Sequence, residues 1–123
     1  MKFENTNLEQ HVINTSLLTE IMEELGFVLA GQWDYERVTY DYKFEVRDEV
    51  FYLRVQAYSV EGSTDSSSSK VQLLTPILGK HYYPHGVEYG EDEVIPTSVV
   101  ERSNELLKKA QEQIELVSKF IIL

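Results

Sequence analysis

The ten residues "RVTYDYKFEV", Arg37 to Val46, decide the architecture of this chain. Val38, Tyr40, Tyr42, Phe44 and Val46 alternate with Arg37, Thr39, Asp41, Lys43 and Glu45. Side chains on a strand change face at every residue, so the pattern predicts a strand with one apolar and one wet face. "RDE", Arg47 to Glu49, follows and predicts a hairpin turn. The return strand then runs from Val50 to Val60, with Phe51, Leu53, Val55 and Ala57 on the same inner face. "EGSTDSSSS", Glu61 to Ser69, is small and polar and reads as a solvated loop. Lys70 to Thr75 predicts a further strand, ended by Pro76. Upstream, Phe27 to Trp33 predicts a strand with Gly31 at a bulge, and "EQHVIN", Glu9 to Asn14, a short edge strand.

Helical spacing brackets these strands. Leu17, Leu18, Ile21, Met22 and Leu25 share one helical face, with Glu20, Glu23 and Glu24 opposite. Asn14, Thr15 and Ser16 offer capping oxygens, and Gly26 suits the left-handed position after the last turn. At the other end, Ser98 and Glu101 form a capping-box pattern behind Pro96, and a helix is expected to reach about Phe120. Val100, Ser103, Leu107, Ala110, Ile114, Val117 and Ile121 form its apolar stripe, while Glu105–Lys109 and Glu115–Lys119 are spaced for ion pairs. The order helix, strands, helix, with short polar connections, predicts an α+β fold. Its antiparallel sheet has about four to six strands, covered on one face by an N-terminal helix and a long C-terminal helix.

Bulk properties narrow the roles. A chain of 123 residues predicts a single domain, 1–123, with enough interior for a real core. Eleven basic residues face twenty-one acidic ones, a net charge of −10, so binding to nucleic acid or to an anionic membrane surface is not expected. No cysteine is present, which removes disulfides and thiolate chemistry. "MKFENTNLEQ" lacks the apolar stretch of a signal peptide, and no apolar run nears the ~20 residues of a membrane span, so a cytoplasmic location is expected. The six glycines are scattered singly and form no phosphate loop, no Gly-x-Ser-x-Gly elbow exists, and no cofactor is expected.

The segment "GKHYYPHGVEYGEDE", Gly79 to Glu93, concentrates the remaining chemistry. His81 and His85 are four residues apart, the spacing that brings two imidazoles to one metal on a helix. Pro84 and Gly86 break that helix, so no metal site is expected, although a loop gathering His81, His85, Glu88 and Glu91 stays conceivable. Tyr83-Pro84-His85-Gly86 fits a type I turn with proline second, Gly86-Val87-Glu88-Tyr89 a short strand, and Tyr89 to Asp92 a second turn. Turns carry binding residues, so His81, Tyr82, Tyr83, His85, Glu88 and Tyr89 are the candidate ligand-binding set. Glu91, Asp92 and Glu93 would give such a site an acidic rim suited to a cation. No catalytic residue is singled out. Elsewhere, Asp34, Glu36 and Arg37 predict a cross-strand ion pair, and Arg54 is expected to stack on Tyr52 and Tyr58.

"GFVLAGQWDYERVTYDYKFEV", "YLRVQAYSVEG" and "LLTPILGKHYYPHGVEYGEDE" resemble the YugN-like proteins, small proteins of Gram-positive bacilli. The resemblance runs from about Leu17 through Glu93 and rests most on Trp33 to Glu36 and His81 to Gly86. It implies a compact α+β domain and a cytosolic bacterial home. It transfers no activity and no catalytic residue.

Three functions are then in competition. The first is a non-enzymatic interaction protein, dimeric through the C-terminal helix, whose stripe ends in "FIIL", Phe120 to Leu123. The second is a small-ligand or cation-binding domain using His81 to Glu93. The third is an acid–base enzyme at the same residues.

Overall fold

The computed structural model describes residues 1–30, 34–64, 66 and 68–122, with side chains through residue 118 in the last helix. The alternating stretch is a strand over the expected span, β3 (Arg37–Val46), and β4 (Glu49–Glu61) returns beside it. Val46 pairs with Glu49, so the turn holds two residues, with Arg47 in the left-handed region at φ 57. Val38 and Tyr40 are buried, as are Phe51, Leu53, Val55 and Ala57. The strand β4 is the spine of the sheet. β3 pairs with it on one side; on the other, β5 (Lys70–Leu73) pairs with its end and β6 (Ile77–His81) with its start. Between β5 and β6, the Leu74 N–H still donates to Gln56 O at 2.8 Å, while Pro76 has no N–H to offer.

Short strands finish the sheet. β1 (Val12–Asn14) pairs with β5, β2 (Val28–Ala30) with β3, and β7 (Val87–Glu88) with β6, all antiparallel. The path is β1-β5-β4-β3-β2, with β6 branching from β4 and β7 from β6, seven strands among the described residues. β1, β2 and β7 fall within expected strands but are only two or three residues long, and the strand the sequence reading lacks is β6, which resumes directly after Pro76. β1 is an edge strand as expected. The bulge expected at Gly31 lies outside the described residues; a register shift occurs instead between Ser59 and Glu61.

Helix α1 (Thr15–Glu24) is capped by Asn14, whose Oδ1 accepts the Leu17 N–H at 3.1 Å. It ends in a Schellman motif: Gly26 at φ 99 donates to Glu23 O and Phe27 to Met22 O, both at 3.0 Å. A Cβ on Gly26 would also sit 2.9 Å from the Tyr42 ring. Helix α2 (Thr97–Ile122), about 39 Å long, starts two residues earlier than its capping-box pattern implies. Pro96 O accepts the Val99 and Val100 N–H groups, so Ser98 lies inside the first turn and does not cap it. Glu105 pairs with Arg102 at 3.1 Å rather than with Lys109, and the Lys119 side chain lies outside the described residues.

Both helices cover one face of the sheet. Leu18, Ile21 and Met22 of α1 and Val99, Leu106, Leu107, Ala110 and Ile114 of α2 join the inward strand residues in one core. Val100 and Val117 pack at its margin; Ser103 is buried, and its hydroxyl has no partner among the described residues. Tyr40, fully buried, shares a 2.7 Å hydrogen bond with Thr19. Burial, reinforced by Glu23 and opposed by the Thr19 bond, pushes its phenol up to about 12. Since the unfolded chain ionises near pH 10, Tyr40 stabilises the fold fully below that pH. The contribution, about 2–3 kcal/mol, is lost as pH rises from 10 through 12. The melting temperature is expected to fall over this window, and Tyr40→Phe to fall less steeply, which a pH series of thermal melts checks.

Candidate functional site

The other face of the sheet is covered by neither helix. Its side chains come from the polar half of the alternation: Thr39 and Asp41 on β3, Tyr52, Arg54, Gln56 and Tyr58 on β4, Gln72 on β5, His81 on β6. They are tied in cross-strand pairs. Arg54 lies opposite Asp41 and binds both carboxylate oxygens, at 2.8 and 2.9 Å. Gln56 Nε2 donates to Thr39 Oγ1 at 3.1 Å, and the Tyr58 hydroxyl donates to Gln72 Oε1 at 3.2 Å.

Gly79 brings the histidine-bearing hairpin onto this face. A Cβ there would lie 2.6 Å from Glu88 O, 2.6 Å from Tyr89 Cδ1 and 2.8 Å from Val87 Cγ1. Its absence lets Val87 and Tyr89 of the β7 arm fold across β6. The Arg54 guanidinium then stands 5.6 Å from the Tyr89 ring centre. The Tyr89 hydroxyl is buried without a partner among the described residues. Burial raises its proton affinity and nearby Arg54 opposes the rise. His81 meets Tyr52 edge-to-face, with ring centres 6.2 Å apart.

The six candidate residues therefore occupy four places. His81 and Tyr89 join Tyr52, Arg54 and Asp41 on the open face. Tyr82 faces the other way: it donates a short hydrogen bond to Glu93, under the Lys80 ammonium 5.0 Å from its ring centre. The Glu93 bond pushes its phenol up to about 12. Glu88 is exposed at the end of β7, and Tyr83, 89% exposed, stands with His85 at the hairpin tip. At that tip the Tyr83–Pro84 peptide is cis, and the Tyr82 N–H donates to Gly86 O at 3.2 Å. Among the described residues, no group of three or more His, Asp, Glu or Cys side chains is placed to hold a metal ion.

Two further readings change. Arg54 engages Asp41 and Tyr89, not Tyr52 and Tyr58. Among the described residues Asp34 makes no cross-strand ion pair; its Oδ1 accepts the N–H groups of Glu36 and Arg37 at 2.9 and 3.1 Å. The Asp41–Arg54–Tyr89 cluster was missed by sequence, although the two-residue hairpin places Asp41 opposite Arg54 once its length is known.

Comparison with known proteins agrees with this fold. A Bacillus subtilis protein named YlbA is 47% identical over 117 residues, which are 95% of this chain and 98% of the relative. The B. subtilis protein YugN is 32% identical over 71 residues, 58% of this chain and 53% of its own length. The crystal structure of YugN from Geobacillus kaustophilus superposes with a TM-score of 0.86 at 50% identity, covering 97% of this chain and 98% of that one. Residues 4–117 match the YugN-like family, and the chain belongs to that family.

Proposed function

We propose that this chain acts by binding rather than by catalysis, and that it receives a protein partner on the open face of its sheet. The observation that carries this reading is the grouping of Tyr52, Arg54, His81 and Tyr89 on the uncovered face. Tyrosine and arginine dominate the energetics of protein interfaces, and here the Asp41 carboxylate across the strand pair holds Arg54 in place before any partner arrives. Among the described residues, neither the His81 nor the His85 ring forms an ion pair or hydrogen bond with a carboxylate, which favours recognition over proton transfer. The net charge of −10 supports a partner other than nucleic acid or an anionic membrane. Among the described residues no helix is long and apolar enough to cross a membrane, which fits a cytoplasmic protein acting as one domain.

The test compares baits in one Bacillus extract. Tyr52→Ala/His81→Ala protein is expected to lose partners that wild-type protein and a Lys108→Ala control on the exposed side of α2 both retain. Retention of the same partners by all three would count against the open face. A second reading, a homodimer through α2, is favoured by Leu116, which is 49% exposed near the end of that helix. The surrounding outward residues Glu101, Lys108, Lys109, Glu112 and Glu115 are charged, so support is confined to the last turns. Sedimentation of wild type against Leu116→Glu tests it: a dimer lost in the variant supports it, and a monomer throughout removes it.

A further inference from the structure

A groove of about 710 Å³ lies at the opposite end of the open face, where β3 begins and β4 ends. Its size falls within the roughly 300–1,000 Å³ of small-molecule sites. Tyr35 and Tyr58 line it with Asp34, Glu36, Arg37 and Ser59.

Its walls are fastened to each other beyond what strand pairing requires. The Thr64 N–H donates to Tyr35 O and the Thr64 hydroxyl to Asp34 O, each at 2.9 Å. The Ser59 N–H donates to Glu36 O at 2.7 Å. The Tyr58 ring is held at its hydroxyl by Gln72, whose own amide donates to Glu9 O at 3.0 Å. The shape is thus set without an occupant, so little ordering opposes binding.

The lining selects the class of occupant. Tyr35 and Tyr58 are 56% and 39% exposed, large rings left partly in water. An anion would meet Asp34 and Glu36 in a protein of net charge −10; a cation would meet Arg37. Carboxylates that accept and a guanidinium that donates instead suit neighbouring hydroxyls, which do both. Aromatic rings suit the apolar C–H surface of a sugar ring. We propose that this groove is a binding site for a neutral carbohydrate of one or two rings. The site is separate from the protein-binding surface around His81 and Tyr89, and either can fail without the other.

The test is a titration of the intact ¹⁵N-labelled protein with maltose, cellobiose and N,N′-diacetylchitobiose, alongside inorganic phosphate and spermidine. At least one disaccharide is expected to shift the amide signals of Tyr35, Arg37, Ser59 and Gly62 to saturation, and the two charged probes are not. Tyr58→Ala and Tyr35→Ala are each expected to weaken that binding about tenfold while the protein stays folded. Tyr35 lies in a loop, so its variant answers the question even if Tyr58→Ala is damaged. Saturation by no disaccharide, preferential binding of phosphate or spermidine, or unchanged affinity in Tyr35→Ala would overturn the proposal.

Discussion

Replacing Gly79 with alanine is expected to destabilise the protein by about 3 kcal/mol, a fall of roughly 10 °C in melting temperature. The added Cβ would stand 2.6 Å from the backbone oxygen of Glu88, far inside contact distance, and that oxygen cannot swing aside as a side chain can. Lys80 pairs with Glu88 and His81 with Val87, so relief requires β7 to part from β6. Tyr89 would lose its place over Arg54 in the same movement. Adding Tyr89→Ala should restore only part of the loss, because it removes the 2.6 Å ring clash and leaves the backbone clash. Thermal melts of the two variants check this. A cost below about 1 kcal/mol for Gly79→Ala would mean that β7 does not hold its observed position.

The second large effect is expected at Leu53. It is fully buried in the middle of β4, between Tyr42 on one side and Leu78 on the other. Leu53→Ala would remove side-chain volume that the two helices cannot move in to fill, at a cost of about 3–4 kcal/mol. Three residues along the same strand, Gln56 points to the open face and bonds Thr39. Gln56→Ala should cost no more than about 1 kcal/mol, the net worth of one such hydrogen bond. Urea unfolding of the pair gives the comparison. Equal losses would mean that the sheet does not have one covered and one open face.

That two-faced sheet was readable in the sequence for a definite reason. Its apolar residues occupy even positions in β3 and odd positions in β4. Facing residues on paired strands share a side, so the loop between them must hold an even number of residues. The observed turn, Arg47 and Asp48, is the shortest that satisfies this. The three-residue turn suggested by "RDE" does not, and taking it hid the pairing of Asp41 with Arg54. The helix caps were legible where a side chain makes the cap, as at Asn14, and misread where Pro96 supplies the first carbonyl. The strand Val87–Glu88 was anticipated, yet nothing in its composition says that Gly79 lets Tyr89 cross to Arg54. That contact joins residues far apart in the chain through a missing side chain, and single-sequence periodicity carries no trace of it. Grouping His81 with Tyr82 failed for a simpler reason: neighbours on a strand face opposite ways.

The most direct measurement is covalent tyrosine labelling, performed on the purified protein and on the same protein inside a Bacillus cell. Tyr40 should stay unlabelled in both, beneath the helices, and Tyr83 labelled in both, at the hairpin tip. Tyr52 should react when purified and become protected in the cell, where the open face meets its partner. Labelling of Tyr40 in the purified protein, or equal labelling of Tyr52 in both settings, would contradict the account.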